Sequence, residues 1–212
     1  MCSSDLIPNR LDDDSDGDGC LDVLEGGFED PDGDGVIGSG TPDVDDLGKV
    51  DGHDYDAPAD ADEDGTKDFL QVSTQAVITS HPIGIVRQGG DNGEFRATVT
   101  GDPTITYQWQ VSEDDTLTWT DIEDGGGYSG VNTTILTLTG LTEDDFDGFY
   151  YRLKVVTPAL ACADPVHTNA ALLVVKDDSD GDGIDNAFDL DSDNDGILNT
   201  VEGATEIGRA HV

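Results

Sequence analysis

Basic residues are the scarcest feature of this 212-residue chain: 9 Lys and Arg face 48 Asp and Glu, for a formal net charge of -39. Nucleic acid and anionic membrane surfaces require basic patches, so both are excluded as partners. No apolar run approaches the roughly 18 residues of a membrane span, which excludes membrane insertion of this segment. Of the three cysteines, Cys2 lies at the extreme N-terminus. Cys20 and Cys162 remain. Two isolated cysteines do not make a disulfide framework, and Cys162 is expected as a free thiol. Outside the C-terminal tail the only histidines are His53, His81 and His167. There is no H-E-x-x-H, no G-x-S-x-G and no phosphate-binding glycine loop. Carboxylate pairs are too numerous for any one of them to indicate acid–base catalysis, and the chain is not expected to be an enzyme.

The two ends share a peculiarity. The tail Ile207-Gly-Arg-Ala-His211 can be encoded as ATC GGA AGA GCA CAC. The reverse complement of that word reads Met-Cys-Ser-Ser-Asp, the first five residues, with GTG as start. Residues 1–6 and 206–212 therefore read as translated sequencing adaptor and are set aside from fold reasoning.

The acid is unevenly placed. Residues 12–71 hold 22 Asp and Glu against 2 Lys, residues 177–205 hold 10 against none, and residues 72–176 hold 14 against 5 with both tryptophans. This divides the chain into an acidic block (7–71), a hydrophobic domain (72–176) and a second acidic block (177–205).

Within the blocks a D-x-D-x-D-G unit recurs. Its clearest copy starts at Asp191. Counting that residue as position 1 puts Asp191, Asp193 and Asp195 at 1, 3 and 5, Gly196 at 6, Ile197 at 7, Asn199 at 9 and Glu202 at 12. A hard cation such as Ca²⁺ takes six to eight oxygens. Positions 1, 3 and 5 supply carboxylates, position 7 a backbone carbonyl, and position 12 closes the shell. A merely solvated acidic run would not fix a glycine and an apolar residue at constant offsets. The first copy has Asp14, Asp16, Asp18, Cys20 (carbonyl), Asp22 and Glu25. The second has Asp30, Asp32, Asp34 and Val36 (carbonyl), but Gly38 and Thr41 at 9 and 12. Its far side must be filled from elsewhere, with Asp43 and Asp45 as candidates. The third has Asp60, Asp62, Asp64, Thr66 (carbonyl) and Asp68, with Gln71 a weak closer. Asp51, Asp54 and Asp56 could donate to the same ion, whereas His53 is expected at the surface because calcium prefers oxygen. The fourth has Asp178, Asp180, Asp182, Ile184 (carbonyl) and Asp189, with Asn186 at 9. Apolar residues in the first block are too few for a conventional core, so ion coordination is expected to substitute for burial. Leu21, Val23 and Leu24 suit a short helical turn after the first loop.

Only Leu190 separates the last two loops, which leaves no room for the flanking helices of a helix–loop–helix calcium hand. Such close spacing resembles thrombospondin type 3 repeats, where chain wraps a string of calcium ions. In that family position-12 acids can serve adjacent ions, which would suit Asp189 beside Asp191.

The middle segment changes period. Phe95, Ala97 and Val99 alternate with polar residues, as do Ile105, Tyr107, Trp109 and Val111. Runs at 135–139, 149–156 and 171–175 are β-rich, and turn residues separate them. This pattern predicts an all-β fold, a β-sandwich. It resembles immunoglobulin-like domains. Trp109 matches the buried tryptophan of the third strand, and Asp147-Gly148-Phe-Tyr-Tyr151-Arg-Leu153 matches the tyrosine-corner region. Ala97 and Leu153 stand where the family's cysteines usually do, so packing must replace that bridge. Trp119 and Tyr128 resemble recurring features of secreted bacterial members, but sheet-covering aromatics is the better reading of both.

Together the resemblances imply a calcium-binding structural or adhesive segment of a large secreted or cell-surface bacterial protein. Calcium would stiffen the acidic linkers around an immunoglobulin-like module. The alternatives are a module that binds a glycan or a surface protein, using the loop from Asp121 to Tyr128, or an accessory region of a secreted enzyme.

Overall fold

The computed structural model of the chain describes residues 12–41, 44, 46, 58–61, 63–181, 184–186 and 188–202. Both ends, Asp43, Asp45, Asp51, His53, Asp54, Asp56, Asp62, Asp182 and the side chain of Glu202 lie outside the described residues. The chain divides into two compact units. One contains residues 1–78, 99–106 and 155–166. The other contains residues 79–98, 107–154 and 167–212.

Eleven strands appear among the described residues: β1 (Val77–Ser80), β2 (Ile85–Gln88), β3 (Gly93–Arg96), β4 (Thr98–Thr100), β5 (Thr106–Ser112), β6 (Thr120–Asp121), β7 (Tyr128–Ser129), β8 (Ile135–Leu138), β9 (Tyr150–Val156), β10 (Val166–His167) and β11 (Ala171–Lys176). The larger sheet has the order β2-β11-β9-β5-β6, with β10 pairing to β9. A second sheet has the order β3-β8-β7, and β1 pairs with β4. Strand β2 joins β11 in parallel, with Leu173 opposite Ile85, while β3 and β8 run antiparallel with Phe95 opposite Leu136. Two sheets with this strand order make an all-β immunoglobulin-like sandwich.

Alternation explains which side chains meet. Along β9 the burial alternates residue by residue from Tyr150, so that Tyr151 and Leu153 face inward. Phe95 of the smaller sheet stacks on Tyr151 of the larger at 4.9 Å between ring centroids, and lies 6.4 Å from Trp109. Trp109 is fully buried, and its indole N–H donates to the Thr133 carbonyl at 2.9 Å, so the ring enters the core without stranding a donor. Ala97 and Leu153 are both buried at the positions where a bridge would sit.

Three α-helices, each of four residues, are present among the described residues: α1 (Asp22–Glu25), α2 (Glu143–Phe146) and α3 (Asn199–Glu202). Helix α1 is the turn expected after the first loop, and it buries Val23 and Glu25. Helix α2 was not anticipated. The Thr142 hydroxyl caps it by accepting from the Asp145 N–H at 3.2 Å, and it buries Phe146. No helix among the described residues is long and apolar enough to cross a membrane.

Two expectations are corrected in the first unit. Cys162 is not a free thiol: it forms a disulfide with Cys20 across a sequence separation of 142 residues. Spacing in the sequence carries no trace of a pairing made by the return of segment 155–166. That segment also changes the account of the core. Ala159 and Leu160 are buried in the same unit as Cys20, Val23 and Ala76, so the first acidic block shares a small apolar core instead of lacking one.

Candidate cation-binding loops

All five aspartate loops close in the same way. The N–H of position 9 donates to the carbonyl of the residue before position 1: Asp22 to Asp13 (2.8 Å), Gly38 to Glu29 (2.8 Å), Asp68 to Ala59 (3.1 Å), Asn186 to Asp177 (2.7 Å) and Asn199 to Leu190 (2.9 Å). Position 4 is left-handed in every copy, with φ of 80° at Gly17, 70° at Gly33, 57° at Glu63, 75° at Gly181 and 56° at Asn194. Position 6 is left-handed as well at Gly19, Gly35, Gly65 and Gly196, with φ between 81° and 95°. That conformation is costly for a side chain bearing a Cβ, which is why glycine recurs there.

Within each loop the carboxylates first organise the backbone. Position 1 accepts from the N–H of position 6: Asp14 from Gly19 (3.1 Å), Asp30 from Gly35 (2.9 Å), Asp60 from Gly65 (3.2 Å) and Asp191 from Gly196 (3.0 Å). Position 5 accepts from the N–H of position 7: Asp18 from Cys20 (2.9 Å), Asp34 from Val36 (3.0 Å), Asp64 from Thr66 (2.6 Å) and Asp195 from Ile197 (2.8 Å). These bonds fix the turn that leads into position 7, the residue whose carbonyl the sequence assigns as a ligand. Asp14, Asp16 and Asp18 bring one oxygen each within 4.8 Å of one another, as do Asp30, Asp32 and Asp34, and Asp191, Asp193 and Asp195.

Position 9, counted above among the ligands, also braces the loop with its side chain in four of the copies. Asp68 accepts from the Ala61 N–H at 2.9 Å, Asn186 from Ser179 at 2.9 Å and Asn199 from Ser192 at 3.0 Å. Asp22 does the same for Ser15. Asp178, Asp180 and Ile184 belong to the fourth loop, where Gly181 donates to Asp178 at 2.8 Å.

Other oxygens are left without partners. Among the described residues, the buried side-chain oxygens lacking a hydrogen bond are those of Asp12 (Oδ2), Asp16 (Oδ2), Glu25 (Oε1 and Oε2), Asp60 (Oδ1), Ser73 (Oγ), Asp189 (Oδ2) and Asp191 (Oδ1). All but Asp12 and Ser73 occupy loop positions 1, 3 or 12. Glu25 is 2% exposed. Burial, and then the negative field of Asp18, Asp16, Asp22 and Asp14, pushes its carboxyl up to about 9. Burial likewise pushes Asp16 up to about 6, against the hydrogen bond from Asp18. Asp189 accepts from the Asp191 N–H at 2.9 Å, which places two partnerless oxygens on neighbouring residues. Desolvated, unpaired carboxylate oxygens at these loop positions fit a divalent hard cation, which would supply the missing charge and the missing partner together.

No family model matches the chain, and no curated protein matches it. Among solved structures it is similar to the I-band fragment I67–I69 of titin, at 24% identity over 48% of this chain and 32% of that one, with a TM-score of 0.38. It is also similar to the tandem Ig repeats of Dlar (21% identity, 48% of each chain, TM-score 0.39) and to extracellular domains 3–5 of Drosophila OTK (19% identity, 49% of this chain and 32% of that one, TM-score 0.37). The chain thus spans between about a third and a half of the length of these immunoglobulin-domain structures.

Proposed function

We propose that this chain is a calcium-binding structural or adhesive segment of a secreted or cell-surface protein, in which thrombospondin type 3-like loops stiffen the stretches flanking an immunoglobulin-like module. The observation that carries this reading is the set of partnerless buried oxygens, which gather at the loop positions where the spacing calls for ligands. The shared closure of all five loops supports it, because one backbone frame repeated in five places argues for one task. The Cys20–Cys162 disulfide supports an oxidising compartment.

The residues have distinct work in this reading. Carboxylates at positions 1, 3, 5 and 12 bind the ion, the position-7 carbonyls complete its shell, and position 9 holds the loop shut. Five dications would bring the net charge from -39 only to about -29, so calcium relieves part of the repulsion between the carboxylates and leaves the chain strongly acidic. Extracellular calcium modules bind with dissociation constants of about 0.1–1 mM. Calorimetric titration with Ca²⁺ at low ionic strength tests the proposal, with circular dichroism and small-angle scattering compared between chelator and millimolar calcium. Saturable heat and a more ordered, stiffer chain are expected. No heat and unchanged spectra would overturn it.

A further inference from the structure

The five loops are not equivalent in their surroundings. The second has Gly38 and Thr41 at positions 9 and 12, and its Asp32 and Asp34 are exposed. In the last loop Asp195 is exposed. The first loop is instead built into a frame. Asp14, Asp16 and Asp18 are all half-buried, and Ser15 and Cys20 are buried.

The loop's own last turn and two residues from elsewhere in the chain hold it. Helix α1 delivers Glu25, 2% exposed, with both carboxylate oxygens free of hydrogen bonds and facing the field of Asp14, Asp16 and Asp18. Ser73, 55 residues beyond Asp18, donates its N–H to Asp18 Oδ2 at 3.0 Å, and its own hydroxyl is buried without a partner. Cys162 is covalently joined to Cys20, the position-7 residue whose N–H is held by Asp18. A cation entering such a frame orders little that is not already ordered. Partial burial of Asp14, Asp16 and Asp18 also strengthens the attraction between an ion and these carboxylates relative to a fully exposed loop.

We propose that the first loop is a preorganised, high-affinity cation site distinct from the other four, and that the Cys20–Cys162 disulfide sets its affinity. The inference rests on the reading of the loops as calcium sites. The disulfide touches no ion: it positions the peptide at Cys20 and the start of α1, from which Glu25 closes the site. Linkage is reciprocal, so a bound cation must in turn protect the disulfide. Reduction by dithiothreitol delivers two electrons and two protons, yields two thiols and oxidises the reagent to its cyclic disulfide.

Two measurements on the full chain test this. In the first, calcium is titrated calorimetrically into the unaltered chain and into Cys20→Ser/Cys162→Ser, with the near-ultraviolet signal of Trp109 reporting that the sandwich persists. The unaltered chain should show one site tighter than the rest. The variant should weaken that site alone by roughly 10–100-fold, the usual effect of losing a group that orients a metal ligand. In the second, mass spectrometry measures the fraction of the Cys20–Cys162 linkage that remains at equilibrium with a fixed ratio of reduced to oxidised dithiothreitol, in chelator and in millimolar calcium, and calcium should raise it. This needs no variant and decides the matter if the double substitution fails to fold. Absence of calcium binding in both chains would remove the loop reading itself. Calcium binding with no distinct tight site, or with the same tight site in the variant, together with equal disulfide fractions in chelator and calcium, would overturn this proposal and leave the loop reading intact.

Discussion

Asp22 grips Ser15 twice: its Oδ1 accepts the Ser15 N–H at 2.6 Å and its Oδ2 accepts the Ser15 hydroxyl at 2.6 Å. The same clasp between positions 9 and 2 recurs at Asn199, whose Oδ1 accepts from the Ser192 N–H while its Nδ2 donates to the Ser192 hydroxyl at 2.7 Å. An aspartate and an asparagine thus do one job, because only an oxygen facing the N–H is required. Asn199→Ala should therefore open the last loop. Exchange of the Ser192 amide should quicken by roughly fivefold, as expected for a lost hydrogen bond worth about 1 kcal/mol. Asn199→Asp should keep the N–H bond and leave that exchange slow. Equal exchange in all three chains would show that the clasp is incidental.

The pH dependence of the calcium-free chain follows from Glu25. Its carboxyl titrates near 9 in the folded chain against an ordinary 4.5, mainly because burial disfavours the charged form. Between those values the folded state holds a proton that the unfolded state has released. Stability is therefore fully present below about 4.5 and falls as pH rises toward 9. Glu25→Gln should flatten this slope and stabilise the calcium-free chain at pH 8. A chemical-denaturation series from pH 5 to 9 checks it, and an equal slope in both chains would contradict the assignment.

Calcium should reverse that protonation. If the ion binds Glu25 as a carboxylate, each filling of the first loop at pH 7 releases about one proton. Titrations in two buffers of different ionisation enthalpy should then differ in apparent heat, and Glu25→Gln should abolish most of the difference. Identical heats in the two buffers would mean that Glu25 does not ligate the ion.

The loops were legible because the chemistry of position 6 is steric and local. A glycine is required where φ is positive, and that requirement is visible in any single copy. Position 4 carries the same requirement but was overlooked, because Glu63 and Asn194 occupy it alongside three glycines. Position 9 looked like a ligand because asparagine and aspartate both carry a suitable oxygen. Only coordinates reveal that the oxygen is turned to the N–H of position 2. In the sandwich, the strand around Trp109 announced itself by alternation, and those around Leu136, Tyr151 and Leu173 by their β-rich composition. Strand β2 did not: four residues pairing in parallel with β11 leave no turn signal, since the partners lie far apart in sequence. The Cys20–Cys162 link was illegible for the same reason, as no local rule relates residues 142 apart.

Tyr128 turns from a surface feature into a core partner. Its ring meets Phe146 edge-on at 5.6 Å, and its hydroxyl lies 3.1 Å from that of Tyr151, which is fully buried. Burial raises the titration of both phenols, and for Tyr151 the neighbouring Tyr128 adds to it. The two hydroxyls share one hydrogen bond, so removing either leaves the other short of a partner. Tyr128→Phe should cost about 1–3 kcal/mol, the usual penalty for stranding a buried polar group. Tyr128→Phe/Tyr151→Phe removes both hydroxyls and retains the rings, so it should recover most of that loss. Denaturant midpoints for the two single variants and the double variant measure the coupling directly. Additive losses would show that the hydroxyls do not depend on each other, and that ring packing alone secures this end of the sandwich.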